Sequence, residues 1–557
     1  MNDRIRIVAL GGLDERGKSC YTIDINGDIF VISSGLRFPD RTTPGIDYII
    51  PNFSYLVENK ERVKAYFLPH GHDDEIGGLA YLYKDVPAPI YGSKVTIAMM
   101  RNFLRHVGVD PSGYEFHEVE PSSTFKVAGR EISFFQTSHN IAQSSGIAIN
   151  TSYGNIVFTS DYVVENNATQ NYLGDMASLS AIAEKHPTLA LLTPSIYAER
   201  PGYTAPKYKL KPLIERQVTN SLGRVFIALY SLNFYNIDEV ISLAIQTKKK
   251  IIPYDDDTTE TIRAMQECGQ LLIPRENYGS VDDINRYRDQ DIIVLMLGYH
   301  PKIYHKIALL ASGQTEGGRP IHLKDSDLFI SAVPADDNEE LEATDALDEL
   351  YRSGCQVYNI TKKEFRKMHA SEEDLKMMIS LFRPQYYVPV KGFFKDLLNN
   401  AKVAMNTGTG LTHRNIFLLE NGISLLFDET GGHLLQENIT HGDIMIDGIG
   451  VGDVSRAVIE DREKLSQGVV VISVIVSKDT RRVVAGPDVQ ARGIVFARDG
   501  EVLLRDVTKV FMATLEEGVS NGDSFDEIRE LAHERCARTI KRMSGKEPLL
   551  IPVIVEI

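Results

Sequence analysis

The chain has 557 residues, which is enough for about three domains of ordinary size. Its 60 Lys and Arg residues against 76 Asp and Glu residues give a net charge of -16, which excludes a surface that binds polyanions over its whole area. A local basic groove is still possible, because a charge is screened beyond a Debye length of roughly 8 Å. The 4 cysteines form no CxxC pair, and the sequence has neither a signal-peptide pattern nor an apolar run of about 18 residues. We therefore expect a cytoplasmic protein with reduced thiols and no membrane span.

Residues 1–204 alternate short apolar runs with polar turns, as in an α/β unit with a mixed sheet. Gly and Asn-Gly punctuation separates several of these runs. Helical spacing occurs near 93–107 and 176–185. The predicted strands are 5–10, 21–25, 29–33, 63–69, 131–136, 145–150 and 155–160.

Residues 205–365 change to a regular alternation of strands and helices, which predicts a doubly wound, mostly parallel sheet. Helices are predicted at 236–248, 258–268 and 338–353. The strands, which read as continuous apolar runs, are predicted at 224–230, 250–255, 291–298, 327–334 and 355–360.

The rest of the chain is predicted to divide into a short α/β segment, a linker and a small α+β unit. Residues 366–428 carry a helix at 371–382 and the strand-like runs YYVPVKG, NIFLL and ISLLF. The polar, Gly-rich stretch GGHLLQENITHGD indicates a linker over 429–446. Residues 447–557 are predicted to form helices at 508–518 and 524–543, a last strand LLIPVIVEI, and strands at 468–477, 482–487 and 492–496.

The run GLDERGKS at residues 12–19 matches the GxxxxGK[ST] pattern of phosphate-binding loops. That chemistry needs a helix to begin at the Lys-Ser pair, so that backbone N–H groups face the phosphates. The residues that follow, CYTIDINGDIFVIS, alternate in polarity around an Asn-Gly turn and so predict a hairpin. We therefore interpret the match as a strand–turn–strand segment rather than a nucleotide site.

A dense group of metal-ligand residue types follows the predicted strand at 63–69. Residues 70–75 read HGHDDE, and two histidines at i and i+2 beyond a strand end can converge on one metal ion. Alone, this group is equally compatible with a solvated polar loop. His139 and Asp161 favour the metal site, because each of them also lies at the end of a predicted strand.

Several further segments occur in a characteristic order along the chain: ALGGLDERGK, GLRFP (35–39), GIDYIIPNFSYL (45–56), HGHDDEIGG (70–78), ASGQTEGG (311–318) and GPDVQARG (486–493). With them, over essentially its whole length, the chain resembles the ribonuclease J family, the β-CASP ribonucleases of the metallo-β-lactamase superfamily. The resemblance implies an α/β fold in which a metallo-β-lactamase αββα sandwich (1–204 and 366–428) holds an inserted, doubly wound β-CASP domain (205–365). A small α+β C-terminal domain (447–557) follows.

The resemblance also implies an activity in RNA processing and decay. Family members use two zinc ions, or manganese, to activate the water that cuts an RNA phosphodiester. They act mainly as 5′→3′ exonucleases on 5′-monophosphorylated RNA, and some also cut internally. The positions that hold their first metal ion match His70, His72, His139 and Asp161 here.

The second metal site departs from the family pattern. Asp74 is retained, but Glu75 stands in place of a histidine, and Lys391 in VKGFF stands in place of the histidine of a late His-Gly turn. Ser33 replaces a supporting aspartate. Glu75 still offers an oxygen ligand, whereas the Lys391 ammonium has three donors and no acceptor. If Lys391 projects toward this site, its cation replaces part of the missing charge but none of the coordination geometry.

The phosphate-binding loop departs as well. The HxSGHAS-like loop of the family reads FRKMHAS here, so that His369 is retained while Phe365, Lys367 and Met368 replace His, Ser and Gly. Arg366 and Lys367 offer positive charge to phosphates, but the close backbone approach that glycine allows is lost. We predict that these five residues bind the substrate.

These departures resemble the degenerate second paralogue found in some bacteria, which has weak activity and pairs with an active ribonuclease J. One hypothesis is a weak ribonuclease with Zn²⁺ or Mn²⁺ at the first site and catalytic roles for Asp74, His369 and Lys391. The other hypothesis is a non-catalytic subunit that stabilises or positions an active paralogue. Either hypothesis implies a homodimer or a heteromeric complex, with RNA as the ligand.

Overall fold

A computed structural model gives the arrangement of the chain, which forms two structural units. One unit contains residues 1–37 and 50–443, and the other contains 38–49 and 444–557. The residues described are 2–39, 43, 45–165, 167, 170–299, 302–314, 321–335, 339–448, 450–451, 456–494 and 500–557.

The strands and helices are numbered in chain order over these residues. The strands are β1 (Ile5–Gly11), β2 (Cys20–Ile25), β3 (Asp28–Ile32), β4 (Tyr48–Pro51), β5 (Val63–Leu68), β6 (Ile90–Gly92), β7 (Phe116–Glu118), β8 (Ser123–Val127), β9 (Arg130–Gln136), β10 (Ser145–Thr151), β11 (Gly154–Phe158), β12 (Thr188–Pro194), β13 (Val225–Tyr230), β14 (Lys250–Pro253), β15 (Ile292–Gly298), β16 (Leu328–Ser331), β17 (Gln356–Asn359), β18 (Tyr386–Val390), β19 (Ile423–Asp428), β20 (Gly431–Asn438), β21 (Asp443–Asp447), β22 (Gly450–Val451), β23 (Val469–Val476), β24 (Val483–Arg492) and β25 (Leu549–Glu556). The α-helices are α1 (Ser54–Glu58), α2 (Asp73–Ile76), α3 (Leu79–Leu82), α4 (Lys94–His106), α5 (Met176–Lys185), α6 (Lys211–Asn220), α7 (Phe234–Gln246), α8 (Asp256–Glu267), α9 (Lys302–Ala311), α10 (Glu340–Arg352), α11 (Glu372–Phe382), α12 (Phe394–Met405), α13 (Arg456–Ser466), α14 (Gly500–Asn521) and α15 (Phe525–Ser544).

Two sheets of the first unit pack face to face, which confirms the predicted sandwich. The larger sheet has the order β20-β19-β1-β2-β3-β5-β6-β7, and the smaller has the order β18-β12-β11-β10-β9-β8. Alternate apolar side chains of both sheets form one buried core, in which the Phe67 and Phe134 rings meet edge to face at 6.1 Å. A second core, which includes Phe382 of α11, covers the other face of the smaller sheet.

The inserted segment forms a five-stranded sheet in the order β14-β15-β13-β16-β17. All of its strand pairs are parallel, as the alternating pattern predicts. Its central strands β13 and β15 are buried along their whole length, which explains why they read as unbroken apolar runs. The pattern did not predict helices α6 and α9, which complete this part of the fold.

In the second unit, helices α14 and α15 pack on a sheet in the order β24-β23-β25. Val470, Ile472 and Val474 point to the same face of β23 and form a core with Phe511 and Ile540. The predicted α+β character of this unit is confirmed.

Three local predictions were wrong. The stretch expected to be a linker contains β20, which pairs with β19 through a tight turn that begins at Asp428, and its polar residues suit an edge strand. The strand expected at 482–487 extends further, as β24, in which Gly486 has a φ of 94° beside a register shift, whereas Gly493 and Ile494 of the strand expected at 492–496 form no strand. Residues 495–499, and residues 315–318 of the ASGQTEGG motif, lie outside the described residues. The run NIFLL forms only an isolated bridge, between Ile416 and Tyr387.

The cysteines and the helices bear on two expectations from composition. All 4 cysteines are free and buried, as expected of reduced thiols. Among the residues that the structure describes, no helix combines the length and the apolarity needed to cross a membrane.

The buried carboxylate of Asp374 connects three segments at the junction between the sandwich and the insert. Its oxygens accept hydrogen bonds from the backbone N–H groups of Val164 (2.8 Å), Thr204 (3.0 Å) and Ser371 (2.9 Å). The bond from Ser371 also caps α11. The segments around Val164, Thr204 and Ser371 are therefore held together by the side chain of Asp374.

We expect Asp374→Ala to destabilise the chain, because it leaves three backbone donors without their acceptor. At about 1–3 kcal/mol for each unsatisfied buried donor, the loss should be at least about 3 kcal/mol, measured by urea unfolding. Glu373→Ala is the matched control, since this neighbour makes a half-exposed ion pair with Lys376 and should change stability by less than about 0.5 kcal/mol. Equal losses for the two variants would contradict this role of Asp374.

Candidate metal centre

The ends of several strands from both sheets of the sandwich bring the candidate residues together. His70 lies beyond β5 and Asp161 beyond β11, while Lys391 follows β18 directly. Ser160 (φ 56°) and Lys391 (φ 54°) have left-handed backbones, which non-glycine residues rarely adopt. Ser33, which follows β3, shares this conformation at φ 63°. Backbone strain of this kind is concentrated at functional sites, where it helps to orient the side chains.

Three histidine side chains converge on one point. The Nε2 atom of His70 lies 3.0 Å from Nδ1 of His72, and Nε2 of His139 lies 3.4 Å from the same Nδ1. The ring centroids are 4.7–5.0 Å apart. His70 and His139 are buried, and His72 is partly exposed.

The outer nitrogen of each ring contacts a different oxygen atom. His70 Nδ1 lies 3.0 Å from Oγ of Ser160, His72 Nε2 lies 3.2 Å from the carbonyl oxygen of Leu232, and His139 Nδ1 lies 3.0 Å from that of Met368. A carbonyl can only accept a hydrogen bond, so His72 and His139 carry their protons on the outer nitrogens. Their inner nitrogens therefore present lone pairs to one another, which is the arrangement of a metal site with oriented ligands.

Burial lowers the pKa of each of the three histidines. For His70 and His139 the pKa lies well below 6.5, and the neighbouring imidazoles lower it further. Neutral imidazole is the form that binds a metal ion, so the site keeps these rings ready for coordination at neutral pH.

Asp161 provides the carboxylate beside the histidines. Its Oδ2 atom lies 3.9 Å from Nε2 of His70, while its buried Oδ1 makes no hydrogen bond of good geometry and has Nδ1 of His369 at 3.4 Å. Burial raises the pKa of this carboxyl, but the Lys391 ammonium, together with His369 and His139, outweighs burial and holds the pKa well below its usual value. Three neutral imidazoles beside an ionised carboxylate fit one Zn²⁺ or Mn²⁺ ion.

The ammonium of Lys391 lies among three carboxylates. Its Nζ atom is 2.5 Å from Oδ2 of Asp161 and 3.2 Å from Oδ2 of Asp74, and it also donates to Oε1 of Glu75. The other oxygen of Glu75 accepts a hydrogen bond from Oγ of Ser33. Burial lowers the pKa of Lys391, but the carboxylates of Asp161, Asp74 and Glu75 more than compensate and raise it well above its usual value.

These contacts do not fit a second metal ion. His70, Glu75 and Asp161 place ligand atoms within 4.8 Å of one another, as a metal site would. However, the lysine already uses an oxygen of Glu75 and an oxygen of Asp161. A metal ion and an ammonium group cannot share these oxygens at such short range, because both are cations.

The predicted substrate loop lies beside the histidines, and its members differ in exposure. The side chains of Phe365 and Met368 are buried, whereas Arg366, Lys367 and His369 are partly exposed. Met368 instead orients His139 through its carbonyl oxygen. The Lys367 ammonium lies 5.1 Å from the centre of the Tyr230 ring, in the inserted segment.

Sequence reasoning missed three groups that orient the histidines. Ser160 stands directly before Asp161 in the strand-end motif, so its proximity could have been inferred from that position. The carbonyls of Leu232 and Met368 give no sequence signal, because every residue has a carbonyl group. They lie 160 and 229 residues from the histidines they contact.

Known proteins similar to this chain support one family. A family profile described as "Ribonuclease J, beta-CASP domain" matches residues 222–348, and one described as "Ribonuclease J C-terminal domain" matches 457–557. The chain is 32% identical to "Ribonuclease J2" of Bacillus subtilis and 31% identical to "Ribonuclease J 2" of Staphylococcus epidermidis, in each case over 100% of this chain and 99% of the relative. A solved structure from Enterococcus faecalis V583, described as a protein of unknown function, is 15% identical with a TM-score of 0.52. That match covers 76% of this chain and 100% of the other, and it supports the fold alone.

We expect Zn²⁺ or Mn²⁺ to raise the melting temperature of the chain and His72→Ala to abolish the increase. A ligand that binds only the folded state at a hundred times its Kd stabilises that state by about 2.7 kcal/mol, which corresponds to several degrees. His117→Ala is the matched control, because His117 is a partly exposed histidine that contacts Glu115. Equal metal-induced shifts in all three proteins, measured by differential scanning fluorimetry, would rule out metal binding at the three histidines.

Proposed function

Since the chain belongs to the ribonuclease J family, we propose that it is a weak, metal-dependent ribonuclease that removes nucleotides from RNA in the 5′→3′ direction. Internal cleavage at the same centre is included in this proposal. The observation that carries it is the convergence of three histidines whose outer nitrogens each contact an oxygen atom. Such orientation serves metal binding, and the carboxylate of Asp161 completes the ligand set.

In the proposed mechanism, His70, His72, His139 and Asp161 hold one Zn²⁺ or Mn²⁺ ion. A bound ion of this kind supplies Lewis acidity that makes water a nucleophile at neutral pH. Asp74, whose side chain is 31% exposed, is the proposed acceptor for the proton of the attacking water.

His369 and the basic residues beside it are proposed to contact the RNA. The His369 side chain is 18% exposed and lies next to Asp161, where it can donate a proton or a hydrogen bond to a phosphate oxygen. Arg366 and Lys367 supply positive charge for the phosphates. The buried side chains of Phe365 and Met368 would contact RNA only through their backbone.

Weak activity follows from the contacts of Lys391. Its ammonium uses carboxylate oxygens that could otherwise bind a second metal ion. Removal of one strong electrostatic stabiliser typically reduces a rate by about 10²–10³, so we expect slow turnover.

We expect the purified chain to release mononucleotides slowly from 5′-monophosphorylated RNA when Zn²⁺ or Mn²⁺ is present, and His72→Ala to release none. The reason is that His72 contacts both other histidines at the centre of the ligand set. His117→Ala should keep the wild-type rate. Release that is equal in wild type and His72→Ala, or unchanged by a chelator, would refute a metal-dependent ribonuclease at this site.

A non-catalytic role as the subunit of a ribonuclease J complex is the second candidate function. The observation that favours it is the same closed group around Lys391, which is satisfied without a second metal ion. In this role the chain would bind an active ribonuclease J in a heteromeric complex, or would form a homodimer that contributes RNA contacts.

For this candidate, mixing the chain with an active ribonuclease J should raise the mass of the complex and change the partner's rate. His72→Ala should have the same effect, because the effect does not depend on the chain's own chemistry. Light scattering and the partner's RNA cleavage measure the two quantities. Unchanged mass and unchanged rate would exclude the subunit role.

A further inference from the structure

The candidate centre contains more negative charge than one set of metal ligands explains. Asp74, Glu75 and Asp161 bring carboxylate oxygens to a single nitrogen atom, Nζ of Lys391. Glu75 and Asp161 are almost completely buried. Buried carboxylates this close repel one another or take up protons, unless a cation lies between them.

We infer that the ammonium of Lys391 is the resident cation of this carboxylate cluster and excludes a second metal ion, so that the centre holds at most one metal ion. This inference deepens the proposed function, on which it rests. The ammonium of Lys391 donates hydrogen bonds to Glu75 and Asp161, and Asp74 adds an ion pair at 3.2 Å. These contacts occupy the ammonium, so its role is to position Asp161 rather than to touch the RNA.

The backbone holds Lys391 in this place. Its N–H donates to the carbonyl oxygen of Gly12 and its carbonyl accepts from the N–H of Ser195, each at 3.0 Å. Its left-handed conformation, with a φ of 54°, is one that a lysine rarely adopts without such support. These two bonds fix the backbone of Lys391, so placing its ammonium among the carboxylates costs mainly side-chain conformational entropy.

The charges also match one metal ion. The three carboxylates carry at most three negative charges, which one ammonium and one divalent ion balance. A second divalent ion would leave excess positive charge in a buried pocket, where uncompensated charge is costly. Asp161 would face both cations, since Lys391 occupies its Oδ2 while its Oδ1 makes no hydrogen bond of good geometry.

The test counts metal ions per chain in the full-length protein after saturation with Mn²⁺ and removal of excess metal. We expect one ion in wild type and two in Lys391→Met, which frees the oxygens of the cluster. Lys391→His with Glu75→His, which supplies ligating nitrogens instead, should also bind two ions and raise the rate of RNA cleavage. Lys395→Met is the matched control, since this exposed lysine lies four residues further along the chain, and it should bind one ion.

The number of ions gained on substitution decides the inference. A gain of one ion in the variant supports the exclusion of a metal ion by Lys391. This holds even if the wild type binds no ion, an outcome that would refute the proposed metal-dependent function. Two ions in wild type, seen as spin-coupled manganese by electron paramagnetic resonance, would overturn the inference. So would the absence of any gain in a variant that folds by circular dichroism. The wild-type count alone can overturn the inference if neither variant folds.

Discussion

The buried ion pair between Lys391 and Asp161 is the interaction on which the rest of the centre depends. Both side chains are almost completely buried, and an unpaired charge there would cost several kcal/mol. Nζ lies 2.5 Å from Oδ2 of Asp161, and the same ammonium pairs with Asp74 and Glu75. The ion pair thus keeps Asp161 ionised beside three neutral imidazoles, which is the condition for a carboxylate ligand.

The fold makes this pairing possible because parallel strands of two sheets end at one edge of the sandwich. β3 and β5 run parallel in the larger sheet, and β11, β12 and β18 run parallel in the smaller. The carboxyl ends of parallel strands collect loops on one side, where α/β proteins place their chemistry. Left-handed residues at three of these ends then turn the side chains inward.

The fold could be predicted from sequence wherever side-chain patterns are strong. Apart from the run NIFLL, the predicted strands of the sandwich and of the insert are present, because each buries an apolar face or both faces. Strand β20 was not predicted, because it lies at the exposed edge of the sheet and its sequence is polar. Helix α12 was not predicted, because the pattern after VKGFF was not recognised as helical. Among the site residues, His70, His72, His139 and Asp161 carry recognisable chemistry at strand ends. The carbonyls of Leu232 and Met368 do not, because their position depends on how the insert packs.

The insert also helps to orient the histidines of the centre. Leu232 lies two residues beyond β13 and orients His72, while Met368 precedes α11 and orients His139. Two of the three histidines are therefore oriented by carbonyls in or just beyond the insert, so the ligand set forms only when the insert is folded against the sandwich. Oδ1 of Asp161 and Nδ1 of His369 lack good hydrogen bonds and lie 3.4 Å apart. The unused hydrogen-bonding capacity of these two atoms lies beside His369, whose side chain is 18% exposed, and a phosphate of the proposed RNA substrate would therefore meet the centre from that side.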